Sequence, residues 1–167
     1  MSNLEDTRLF DLVSLAIEAS ASFRKAGFGA GVNGARDGWP AWTQTLKDEI
    51  TLLIGTQPVH YIQAKGDSGR SQTDNEAHLL IVTDRLLVQA YIRRFAEPDV
   101  AEIRIISHSL ARLRSLTLDS SPSARTLTAE FEGSDSLTLP LVPSEPLAPG
   151  VGLPAVIRIL RDALASA

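Results

Sequence analysis

Residues 79–92 read LLIVTDRLLVQAYI, apolar almost throughout with a charged Asp84-Arg85 pair at the centre. A single helix here would be apolar on every side, which a small domain cannot bury all round. Thr83-Asp84-Arg85 is good turn chemistry instead, because an Asp side chain can bond to backbone two residues on. The segment therefore predicts two strands, about 77–83 and 86–93, joined by a tight turn. Both strands are apolar on both faces, whereas a sheet with one wet face alternates. Something must cover the outer face, and the N-terminal helix, through Leu9, Val13 and Ile17, is the candidate, from the same chain or a second copy.

The period-two signal extends along most of the chain from residue 57. VHYIQAK (59–65), AEIRIIS (101–107), RLRSLTLD (112–119), TLTAEF (126–131) and SLTLPL (136–141) all read as strands. The apolar phase shifts between Leu113 and Leu116, which predicts a bulge or a late strand start. Gly133-Ser-Asp135 is a short hairpin connection. The count is seven strands, grouped as four (about 57–65, 77–83, 86–93, 101–107) and three (111–119, 126–132, 136–142).

Helical spacing frames these strands. Ser2 and Glu5 have capping-box spacing, and Leu9, Leu12, Val13, Ala16, Ile17 and Phe23 predict a helix over 4–25. GFGAGVNGARDG (27–38) reads as a Gly-rich connection. Trp42, Leu46, Ile50 and Leu53 share one face of a second helix, over 41–54, which Gly55 ends. Pro154 suits a first helical turn, and Leu153, Val156, Ile157, Leu160 and Leu164 form the stripe of a last helix over 153–165. The expected organisation is a helical extension (1–55) followed by a strand-rich domain (56–167).

Several functions are argued against. The net charge of −4 provides no basic field for nucleic acid or an anionic membrane. Cysteine is absent, which excludes disulfides, thiolate metal sites and cysteine nucleophiles. His60, His78 and His108 fall in different segments, so a His-only metal site is not expected, and no cofactor is implied. Glu5, Asp6 and Asp11 stand where a secretory leader needs a basic and then an apolar region, and no apolar run reaches membrane-spanning length. The expected compartment is cytoplasmic.

The strand order and the pattern LLIVTDRLLV (79–88) resemble the pleckstrin-homology (PH-like) superfold in its bacterial and GRAM-like branches, over residues 57–167. Ile103, Ile105 and Ile106 and the run LTAEF (127–131) match later strands of that pattern. The resemblance implies an α+β fold: a seven-stranded antiparallel PH-like barrel of 4+3 strands, a C-terminal capping helix, and here an N-terminal helical extension. It also implies a non-catalytic binding module. Lipid-binding members carry a basic pattern through the first two strands, where this chain has only Lys65 and Arg70 beside Asp67, Asp74 and Glu76. Phosphoinositide binding is therefore disfavoured.

Several motifs admit a chemical role and a simpler one. Gly29, Gly31 and Gly34 fit a dinucleotide fingerprint by letter, but a helix rather than a strand precedes them. Ser107-His108-Ser109 places neighbours on opposite strand faces, so they form no dyad unaided. His60 and His78 could meet across strands, with no carboxylate evident to orient either. Arg93 and Arg94 could approach Arg112 and Arg114 as an anion site, against a salt-balanced face. Trp39 and Trp42 could anchor a partner, against packing the second helix. The candidate contacts are thus Lys65, Arg70, Arg93, Arg94, Trp39 and Trp42, with no catalytic residue or metal ligand. The leading expectation is a binding or assembly module that recognises a protein surface or forms a homo-oligomer. The alternatives are a ligand-binding protein or enzyme with a cleft between extension and barrel, and a peripheral membrane adaptor.

Overall fold

The computed structural model describes residues 3–22, 41–67, 75–94, 101–121, 124–134, 136–141 and 153–166. Among the described residues the leading helices are α1 (Asn3–Ala19) and α2 (Ala41–Ile54). Strands β1 (Val59–Asp67), β2 (Asn75–Thr83), β3 (Leu86–Arg94) and β4 (Ala101–Ser109) follow. A 3-10 turn, Leu110–Arg112, leads into β5 (Leu113–Ser120), β6 (Arg125–Phe131) and β7 (Leu137–Leu139), and α3 (Leu153–Ala165) comes last. The strands form two antiparallel sheets, in the orders β1-β2-β3-β4 and β5-β6-β7. No ladder joins the two sheets among the described residues. The Gly-rich segment 27–38, Trp39, Arg70 and the loop acids Asp74, Glu97 and Asp99 lie outside the described residues.

The segment 79–92 is a hairpin, with Val82 opposite Leu87 and Asp84-Arg85 at its tip. Its turn is held by Thr83 rather than Asp84. The Thr83 hydroxyl accepts the backbone N–H groups of Arg85 (3.3 Å) and Leu86 (3.0 Å) and donates to Gln57 Oε1 (2.8 Å). The Asp84 carboxylate turns away to His60.

Period two divides the hairpin between two cores. Ala77, Leu79, Ile81, Val88, Ala90 and Ile92 face outward and pack with Ile62, Ala64 and the helices. From α1, Leu9, Val13, Ala16 and Ile17 are buried there; from α2, Trp42, Leu46, Ile50 and Ile54. The outer face is thus covered within the chain. Helix α1 lies over β1, and α2 over β3 and β4. On α2 the buried stripe runs through Ile54, not Leu53, which is exposed, because steps of four from Trp42 end on Ile54. Gly55 ends α2 at a positive φ of 56°, its N–H bonded to the Thr51 carbonyl at 2.9 Å.

Helix α1 breaks after Ala19, Ala21 and Ser22 are helical again, and the rest of the expected span to 25, with Phe23, lies outside the described residues. The Ser20 N–H divides between the Ala16 and Ile17 carbonyls, and its hydroxyl meets that of Ser22 at 3.2 Å. Serine hydroxyls compete in this way with helix propagation. Ser22 then accepts the Gly66 N–H of β1 at 3.2 Å, tying the helix end to the sheet.

The second core lies between the sheets. Tyr61, Leu80, Val82 and Leu87 meet Leu113, Leu127, Ala129, Phe131 and Leu139, closed by Val156 and Leu160 of α3. The β5–β6 register shifts between Leu113 and Ser115, where the phase change predicted a bulge.

Candidate functional site

The inner face of the four-stranded sheet changes character along its length. At the hairpin end it is the apolar floor of the second core. Toward the other end, successive rows across the strands become polar. Registers align Gln63, Leu80, Gln89 and Ile106; then Lys65, His78, Tyr91 and Arg104; then Asp67, Glu76, Arg93 and Glu102. The three-residue β7 leaves the second sheet narrow, and these rows run past the apolar contact between the sheets.

The rows are knit by specific contacts. The His78 and Tyr91 rings stack at 4.5 Å with planes 9° apart. The Tyr91 hydroxyl donates to Gln89 Oε1 at 2.8 Å, and the Gln89 amide nitrogen stands 3.2 Å from His108 Nε2. His108 stacks on Phe131, and its Nδ1 is 3.4 Å from the Ser134 hydroxyl. Gln63, 2% exposed, accepts from both the Tyr61 hydroxyl (2.6 Å) and the Leu141 N–H (2.7 Å). That carboxamide ties the end of the second sheet to β1.

Burial sets the protonation of this face. It drives the His78 pKa down to about 4, with the Lys65 charge acting in the same direction and Gln89 and Asp67 opposing. His78 Nε2 is buried without a hydrogen-bond partner. His108 is lowered by burial, and burial pushes the Tyr61 phenol far above its usual range.

Because the Gln89 amide nitrogen donates to His108 Nε2, that ring nitrogen must accept. The proton then sits on Nδ1 and is directed at the Ser134 oxygen. This is the wrong tautomer for drawing a proton from serine, so the Ser134–His108 contact does not have the geometry of an activated nucleophile.

Beyond the stack lies an open depression of about 420 Å³, lined chiefly by Glu76, Tyr91, Arg93, Glu102, Arg104 and Ile106. Tyr91 is 41% exposed there. Among the described residues the side chains of Glu76, Glu102 and Arg104 form no hydrogen bond or ion pair. The depression thus offers unpaired charge of both signs around an aromatic ring and an isoleucine.

The expected contacts are dispersed. Lys65 is on the inner face but is paired with Asp67 at 3.3 Å. Arg93 lines the depression, between Glu76 and Glu102 in register. Arg94 is the next residue of β3, level with Ala101. Arg114 pairs with Glu132, so Arg93 and Arg114 do not make a common anion site. Trp42 is 4% exposed and packs α2 onto the sheet, away from any surface. His60 and His78 lie toward opposite ends of the β1–β2 ladder and do not meet, since Lys65 is the register partner of His78. His60 does have a carboxylate: Asp84 Oδ1 lies 2.6 Å from its Nε2 across the hairpin tip. No group of three or more potential ligands for a metal occurs among the described residues, and none of their helices is long and apolar enough to cross a membrane.

Tyr91, Gln89 and Ser134 were not singled out from the sequence. A two-residue turn at Asp84-Arg85 already fixes His78 opposite Tyr91, so that pair was readable from the hairpin. No family model, curated protein or solved structure matches the chain.

Proposed function

We propose that the chain is a non-catalytic, cytoplasmic recognition module on a PH-like sandwich, and that it docks a segment of a protein partner on the polar half of the inner sheet face. The 4+3 strand grouping and closing C-terminal helix are what the PH-like resemblance implies, and they support that assignment. The observation that carries the function is the depression at Tyr91, where the side chains of Arg104, Glu76 and Glu102 have no partner among the described residues. A sheet face built only for stability would carry an apolar residue in place of a half-buried imidazole whose Nε2 is left without a hydrogen bond, which costs about 1–3 kcal/mol. Charges of both signs around an aromatic suit a mixed-charge peptide segment with an apolar or aromatic side chain better than a phosphorylated headgroup. Lys65, held by Asp67, is a poor start for a lipid phosphate site.

Selection of a displayed random peptide library on the wild-type protein, with Tyr91→Ala and Arg104→Glu as counter-targets, tests this function. Enrichment of related mixed-charge sequences that bind wild type and lose binding to both variants is the expected result. Sequences that bind all three proteins alike would place recognition elsewhere.

A further inference from the structure

Among the described residues strand β4 is an edge of the four-stranded sheet, and neither a proline nor a bulge interrupts it. Its nine residues all pair with β3, and every one of them is at least partly exposed. The opposite edge is treated differently. On β1 the register shifts between Val59 and Tyr61, Ser22 takes the Gly66 N–H, and Gln63 takes the Leu141 N–H.

We propose that β4 pairs antiparallel with β4 of a second copy, about a two-fold axis through Ile103. In this register Glu102 of each copy stands opposite Arg104 of the other, so two charges without partners among the described residues of one copy become two cross-strand pairs. On the other face Ile103 meets its own copy and Ala101 meets Ile105, which continues the apolar outer face. Neighbouring registers are poorer. An axis through Arg104 opposes two guanidinium groups, and an axis through Ile105 sets Arg104 against Ile106. Helix α2, which lies over β3 and β4, also exposes Leu52 by 81% and Leu53 by 39% on the covered face of the same sheet. The pairing makes one eight-stranded sheet and brings Glu102 and Arg104 of the second copy to the border of each depression. The site for a partner segment is then shared between copies.

Sedimentation equilibrium of the full chain tests the pairing. A dimer is expected, weakened on the order of tenfold by Glu102→Arg or by Arg104→Glu, since either change opposes like charges twice. The double variant Glu102→Arg/Arg104→Glu restores opposite charges and should regain wild-type dimerisation. Unchanged circular dichroism in each single variant separates lost pairing from lost folding. A monomeric wild type, a dimer indifferent to both single changes, or a double variant that stays weak would overturn the pairing. The dimer is read without any peptide, and Tyr91→Ala, on β3 and outside the pairing register, should lose the selected peptides while dimerising as wild type, so the edge and the depression can fail separately.

Discussion

The outer and inner faces of the β2–β3 hairpin are finished in different ways. Outside, Ala77, Leu79, Ile81, Val88, Ala90 and Ile92 all lie buried beneath α1 and α2. Inside, apolar Val82, Leu80 and Leu87 give way to Gln89, His78, Tyr91 and Arg93 within the same two strands. The outer core is sealed by helices that belong to the chain. The inner core is sealed only as far as the short second sheet and α3 reach. The polar rows run on past that cover, so one sheet carries a sealed apolar half and an open polar half.

Removing the outer seal should have the largest effect. Deleting residues 1–22 takes away Leu9, Val13 and Ile17, each worth about 1.5–3 kcal/mol when buried. It also uncovers the outer sheet face. Aggregation or loss of cooperative unfolding is expected, and a soluble truncation with unchanged thermal midpoint would break the comparison. Single cavities are milder. Leu46→Ala in the outer core and Leu160→Ala in the inner core should each cost about 2–5 kcal/mol, read by denaturant unfolding. Because both cores share β2 and β3, each variant should still unfold in one transition. Two separate transitions would mean that the cores are independent.

The sheet pattern was legible for a simple reason. Continuous apolar runs broken by Thr-Asp-Arg admit few arrangements, and period two assigns each residue of a strand to a face. Coverage by α1 through Leu9, Val13 and Ile17 followed from the absence of alternation at 79–92. The inner site was much less legible. Gln63, Gln89 and Ser134 are ordinary polar residues in sequence, and their roles arise from registers between strands far apart in the chain. The cationic residues drew notice through charge alone, although Lys65 and Arg114 are occupied locally by Asp67 and Glu132. Trp42 left two readings open, since an aromatic at a helix start looks the same whether it faces a partner or the core, and its burial bears out the packing one. Asp84 looked like a turn former, but folding brought it to His60 and left the turn to Thr83.

The inner face should respond to pH where the outer one does not. His78 titrates near 4 in the folded chain and near 6.5 when unfolded. Between these values the unfolded chain binds a proton that the folded ring refuses, so stability falls as pH drops from about 6.5 to about 4. The loss should be on the order of 2–3 kcal/mol, allowing for the solvent that still reaches the ring. His108, lowered in the same direction, adds to it. His78→Asn should flatten this dependence in chemical denaturation across the window, and an equally steep profile would assign the acid sensitivity elsewhere. The smallest effect belongs to the hairpin tip. Asp84→Asn removes the carboxylate that His60 contacts, but both groups are partly exposed, so the change should stay below about 1 kcal/mol. A larger loss in unfolding free energy would make the tip a structural clasp.

The contrast between the two faces is most directly tested by solvent paramagnetic relaxation in NMR, with a soluble gadolinium chelate and assigned methyl and aromatic signals. Leu79, Ile81 and Val88 should be protected beneath the helices, while Tyr91 and Ile106 broaden strongly at the open end of the inner face. Equal protection of both sets would mean that the inner face is covered, and broadening of Leu79 or Ile81 would mean that the helices do not seal the outer one.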